Sequence, residues 1–261
     1  MSDGTQEPQE DIDPSLLARA LALKLDSVMD HEQRAVLLRE YVTSAGPEGA
    51  VRGLHVLIKS AMRGDQRGAW VAVAIAICAE ALPYDMMESL YRAARNAELD
   101  IVRLLMVGGN ASFKTALDGE FGRDEFLEAL TLGERKAKAR LRDKNALDRL
   151  LYDPDPSVVR ILLGNPRLTE AHVLKLASRR PNRSTALREI ARDPKWLSRG
   201  AIQRALALNP YTPIRITLTL LPLFSTQELH ELSQDANLHP LVSRGAKAFL
   251  DDLGWTPPTF H

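Results

Sequence analysis

The chain is predicted to be all-α, a row of short paired helices stacked into an α-solenoid, and three observations carry that expectation. Leu, Ala and Arg dominate a composition with only 5% aromatic residues, and these side chains lose little rotamer freedom in a helix. Apolar residues recur at helical rather than alternating spacing along most of the 261 residues. The second half contains a repeat of about 28 residues, within the 20–50-residue range that marks stacked supersecondary units.

Residues 1–13 read as a disordered acidic tail, rich in Asp, Glu, Gln and Pro with almost nothing to bury. Asp13-Pro14 then supplies a cap and a first-turn proline. Leu16, Leu17, Ala20, Leu21, Leu23 and Val28 follow on a helical face. Further helices are expected at about 32–43, 48–62, 67–81, 84–96 and 99–107, separated by Gly46-Pro47, Gly64-Asp65 and Leu82-Pro83. The run Ala69–Ala79 is apolar nearly all round, so its helix should lie centrally with neighbours on both sides. After a break at Gly108-Gly109-Asn110, a long charged helix is expected over about 124–151.

The repeat shows first in helix starts. Leu168-Thr169-Glu170-Ala171-His172-Val173, Leu197-Ser198-Arg199-Gly200-Ala201-Ile202 and Phe224-Ser225-Thr226-Gln227-Glu228-Leu229 are 29 and 27 residues apart. Each reads apolar, hydroxyl, three residues, apolar. A Ser or Thr N-cap bonds an orphan backbone N–H while the flanking apolar pair closes as a staple, and Glu228 would complete a capping box with Ser225. Asp155-Pro156, Thr212-Pro213 and His239-Pro240 mark the second helices, and Gly164-Asn165-Pro166, Arg192-Asp193-Pro194 and Leu208-Asn209-Pro210 mark helix ends. One such helix pair could not bury enough surface to offset its chain entropy, so neighbours must stack. Four segments result: the tail 1–13, an irregular helical half 14–132, regular repeats over 133–250, and a C-terminal tail 251–261.

Asp153-Pro154-Asp155-Pro156-Ser157-Val158-Val159-Arg160, then Asn165-Pro166-Arg167-Leu168-Thr169, then Val173-Leu174-Lys175-Leu176-Ala177 resembles HEAT-like repeats and the leucine-rich repeat variant, and Asn209-Pro210-Tyr211-Thr212-Pro213 repeats the punctuation. The resemblance covers about residues 145–250 and implies a right-handed superhelix. It says almost nothing of function. The period is longer than in the leucine-rich variant, and a lone Cys78 cannot supply the cysteine-ligated iron–sulfur cluster that some of its members carry.

Sites for chemistry are scarce. One cysteine forms no internal disulfide and no Cys-rich metal centre. The six histidines form no metal-binding pair, and neither a phosphate-binding loop nor a Gly-x-Ser-x-Gly elbow is present. No enzymatic activity, cofactor or metal is therefore expected. An acidic N-terminus without an apolar region is unlike a signal peptide, and the longest apolar run is too short to cross a bilayer, so a cytoplasmic location and no membrane partner are the default.

The zero net charge conceals a segregation: residues 1–132 sum to −8, residues 133–220 to +11 and residues 221–261 to −3. Within the basic third, Arg135, Lys136, Lys138, Arg140, Arg142 and Lys144 crowd one expected helix, with Ala137 and Leu141 facing inward. Arg179, Arg180, Arg183 and Arg199 follow in the repeats. These ten residues are the candidate partner-binding set. The expected function is a scaffold that binds an acidic protein along this surface. A nucleic-acid binder is the alternative, because a cationic surface also releases phosphate counterions. Against it, only Tyr152, Trp196 and Tyr211 offer stacking rings in the basic segment, and Trp196 fits better as packing between repeats. An enzyme with an unrecognised site ranks last.

Overall fold

Asp13 caps the first helix as its sequence requires: its carboxylate accepts the Ser15 N–H at 2.9 Å, and Pro14 starts helix α1 (Pro14–Asp26). The structure is a computed structural model and describes residues 13–256 except Gly108, Asn110 and Arg123. The expected acidic tail, apart from Asp13, and residues 257–261 lie outside the described residues.

Every described regular element is helical; among the described residues the only β-type pairing is an isolated bridge between Ser112 and Pro213. The expected pair of helices at 32–43 and 48–62 is α2 (His31–Met62), bent where Gly46 takes φ +65° and Pro47 removes a donor. Then come α3 (Arg67–Cys78), α4 (Tyr84–Asn96) and α5 (Asp100–Met106). Helix α3 is buried along most of its circumference and packs on α1 and α2 on one side and on three helices of the second half on the other. That is the central position its composition predicts.

The long helix expected over 124–151 is instead three: α6 (Glu125–Glu128), α7 (Leu132–Arg140) and α8 (Lys144–Leu150). Local capping outcompetes propensity here. Thr131 and Glu134 form a reciprocal capping box, with the Glu134 carboxylate 2.8 Å from the Thr131 N–H. Asp143 then restarts the chain by accepting the Asn145 N–H at 3.0 Å. The inward residue of α7 is Ala139, not Ala137 or Leu141: Ala139 is fully buried, whereas Leu141 is 56% exposed.

Helices α9 (Pro156–Leu163), α10 (Glu170–Ser178), α11 (Ser184–Arg192), α12 (Pro194–Leu197), α13 (Gly200–Ala207), α14 (Ile214–Leu220), α15 (Thr226–Gln234) and α16 (Pro240–Asp252) complete the chain. Two of the three predicted helix starts hold. Ser225 and Glu228 make the capping box, and Thr169 closes one with His172, whose Nδ1 accepts the Thr169 N–H at 3.1 Å. The middle one differs: Asp193 caps the single turn α12, Ser198 ends that turn by donating to the Lys195 carbonyl at 3.1 Å, and Arg199 precedes α13.

Within this half α9 packs on α11, α10 on α13, α13 on α14 and α15 on α16, while α11, α12 and α14 close onto α3. Trp196 is 1% exposed and donates Nε1–H to the Leu163 carbonyl at 2.9 Å, which joins α12 to the end of α9. No helix among the described residues is long and apolar enough to cross a membrane.

Candidate cation–aromatic interface

The basic residues of the second half divide by what they touch. One group is consumed inside the chain by ion pairs between different helices. Arg160 grips Glu189 through two bonds of 2.6 and 3.0 Å, Arg199 meets Glu170, and Arg204 reaches Glu228 at 2.8 Å and Glu231 at 2.7 Å. The Arg160, Arg199 and Arg204–Glu231 pairs link residues 29, 29 and 27 apart, so the sequence period recurs as a spacing of charge. Arg192 pairs with Glu80 at 3.2 Å and with Glu189 at 3.5 Å, one of the places where the acidic first half meets the basic one.

Of the ten candidate residues, Arg135 is turned inward. Its Nε lies 2.9 Å from the carboxylate of Asp153, whose side chain is wholly buried. Burial pushes the Asp153 carboxyl above its ordinary range, against the backbone N–H of Asp155 and the nearby Arg135 charge, which act the other way. Arg135 is thus a structural counter-ion. Arg199 is held by Glu170, and Arg180 donates to the Leu208 carbonyl. Arg140 donates to the Lys136 carbonyl at 3.0 Å within its own helix. Lys136, Lys138, Arg142 and Lys144 make no ion pair among the described residues; Arg142 and Lys144 lie beyond the end of α7, so they do not share flanks with the residues of that helix.

Arg179 and Arg183 do come together. The turn between α10 and α11 is pinned by Asn182, 4% exposed, whose Nδ2 donates to the Leu176 carbonyl at 2.7 Å while its Oδ1 accepts the Arg183 N–H at 2.8 Å. The flanking arginines then lean on the same ring: the Arg183 guanidinium carbon lies 4.0 Å and the Arg179 carbon 5.5 Å from the centroid of Phe121. Arg179 also lies 4.2 Å over Tyr152, with the Lys175 ammonium 5.7 Å from that ring. Next to this group, Phe126 is flanked by Lys138 at 5.7 Å and Arg149 at 5.4 Å. Each such contact contributes roughly 0.5–2 kcal/mol, more where water is excluded.

Each ring has its own anchor. Tyr152 follows α8 in the turn that the Arg135–Asp153 pair holds, where Asp153 also accepts the Asp155 N–H at 2.9 Å. Phe121 sits on the segment joining the two halves. That segment is tied to the repeats by the Lys114 N–H on the Pro210 carbonyl at 2.9 Å and the Ile214 N–H on the Ala111 carbonyl at 3.0 Å. Asp124 fixes the far wall: it caps α6 through the Phe126 N–H at 3.0 Å and accepts Arg149 at 2.9 Å.

These anchors enclose an open cleft of about 400 Å³ lined by Phe121, Gly122, Asp124, Leu127, Glu128, Tyr152, Pro154, Arg179 and Arg183. A second hollow of about 310 Å³ adjoins it through shared Pro154 and Arg183, with Lys114 on its wall. Sequence reasoning missed Phe121, Phe126, Arg149 and Lys175. The signal that could have found Phe121 is an aromatic set among Asp118, Gly119, Glu120, Gly122, Arg123 and Asp124, where nothing local would bury it. Among the described residues no three His, Cys, Asp or Glu side chains are placed to share a metal ion. Cys78 is buried, and burial pushes its thiol up to about 12.

Comparison of the chain with protein-family models, with curated proteins and with solved structures finds no match.

Proposed function

We propose that the chain is a HEAT-like solenoid serving as a non-catalytic scaffold, and that it binds an acidic protein segment along its basic repeats. The observation that carries this reading is the convergence of Arg179 and Arg183 on Phe121 beside an open cleft. The ladder of ion pairs spaced 27–29 residues apart supports the repeat architecture. Nucleic acid is the weaker reading on this surface. Single strands stack bases on open aromatic faces, whereas Phe121, Phe126 and Tyr152 already carry cations, and Trp196 is buried.

The test compares the purified chain's affinity for poly-glutamate with its affinity for single- and double-stranded DNA and RNA of matched charge, across a salt series. Tighter binding of poly-glutamate is expected. Tighter binding of any nucleic acid, with the steep salt dependence of counterion release, overturns the reading.

A further inference from the structure

We infer that the cleft between Phe121, Tyr152 and Arg179 is the docking point for a carboxylate side chain of an extended acidic peptide, with Arg179 as its fork. The inference rests on the scaffold reading above and names the chemistry of its site.

Arg179 differs from four other half-buried arginines of the repeats. Arg135, Arg192, Arg199 and Arg204 each meet a carboxylate. Arg179 makes no ion pair among the described residues; its side-chain contacts are with the Tyr152 and Phe121 rings. An aromatic face stabilises the charge, but it offers no oxygen to the five N–H donors of a guanidinium. Those donors match a carboxylate in a two-point fork, a charge-assisted geometry about twice as strong as a neutral hydrogen bond. The rings also restrict the side chain before any ligand arrives, so less rotamer entropy is lost on binding.

The remainder of the cleft defines the occupant. Leu127 and Pro154 offer apolar surface beside the arginine, which suits an apolar residue next to the acid. The adjoining hollow shares Pro154 and Arg183 and adds Lys114, so the path continues along the surface and accepts a chain rather than a compact molecule. Asp124 and Glu128 stand on the cleft wall. Asp124 is already paired with Arg149 at 2.9 Å, so its charge is met within the wall rather than presented to an incoming acid.

The test is fluorescence anisotropy with a rhodamine-labelled peptide alternating leucine and glutamate, its leucine–glutamine counterpart, and a single-stranded oligonucleotide. The proteins are the intact chain, R179Q, R179K and, as an exposed control, R167Q, each checked by thermal unfolding. The glutamate peptide should bind about tenfold more tightly than the glutamine one, and R179Q should remove about that factor. R179K keeps the charge without the fork and should lose several-fold, while R167Q should stay within about twofold. Equal losses for R179Q and R167Q, no preference for glutamate, unchanged affinity in R179K, or tighter binding of the oligonucleotide would each overturn the inference. If poly-glutamate binding survives R179Q intact, the cleft assignment falls and the scaffold reading stands; if the intact chain does not bind poly-glutamate, the scaffold reading itself fails.

Discussion

Asn165 and Asn209 show how one side chain can join two helices. Each is nearly fully buried, and each amide donates to two carbonyls at the end of an earlier helix. Asn165 reaches Ala139 at 2.7 Å and Leu141 at 2.8 Å, and Asn209 reaches Ala177 at 2.7 Å and Arg179 at 3.0 Å. Their oxygens accept the N–H two residues on, from Arg167 at 2.9 Å and Tyr211 at 3.1 Å. Asn165→Ala would leave two helix-terminal carbonyls buried without donors, and denaturant unfolding should show a loss of about 1–3 kcal/mol. Asn165→Asp should cost more, because its carboxylate would face those carbonyls; equal stability of all three proteins would refute this account. The Asn-Pro pairs are legible in the sequence as helix stops, yet the long-range partners of the asparagines are not. The same limit applies to the candidate site: the basic residues could be read off, but which would be neutralised depended on where Asp153, Glu170 and Glu189 arrived in space.

At the level of elements, caps and breakers were the readable features. Asp13-Pro14, Gly46-Pro47, Thr169 and Ser225 act where their chemistry places them. The stretch 124–151 breaks into three helices because its helix-forming composition contains two restarts, at Thr131 and Asp143, that outweigh a few tenths of a kcal/mol per residue of propensity. The bend in α2 has a further consequence. It folds the helix back so that Tyr41 donates to the Ala50 carbonyl at 3.3 Å, beside Gly53. A Cβ on Gly53 would lie 2.0 Å from the Tyr41 hydroxyl and 3.1 Å from Leu17 Cβ, whereas one on Gly49 would meet nothing nearer than 3.4 Å. Ala is intrinsically the better helix former by about 1 kcal/mol. Gly49→Ala should therefore be neutral or stabilising, and Gly53→Ala should cost about 1–3 kcal/mol through the displaced ring. Thermal unfolding of the two variants checks the contrast, and similar melting temperatures would show that the Tyr41 contact does not constrain the bend.

Across the whole molecule, α3 is a helix that both halves share. Trp70, fully buried, donates Nε1–H to the Thr219 carbonyl in α14 at 3.1 Å. Arg67 donates to the Leu223 carbonyl at 2.8 Å near one end of α3, and Arg192 to the Cys78 carbonyl at 3.1 Å at the other. Six of the seven residues of α14 are buried, and α3, α5, α13 and α16 surround it. The sequence boundary near residue 132 therefore separates two patterns of helix length and charge, but the apolar core runs across it without interruption from Ala18 to Leu250. A solenoid with self-sufficient repeats would fold from residue 133 onward, since each unit needs only its neighbours. Here the exposed faces of α11, α12 and α14 would each lose α3, and at about 25 cal/mol per Å² of uncovered apolar surface even a few hundred Å² would consume most of the 5–15 kcal/mol that holds a domain together. A fragment comprising residues 133–261 should accordingly show no cooperative thermal transition by circular dichroism, while the full chain should melt in one step. Cooperative melting of the fragment, with the helical signal its sequence would contribute to the intact protein, would show that the repeats stand alone and that α3 is a cover rather than a shared core.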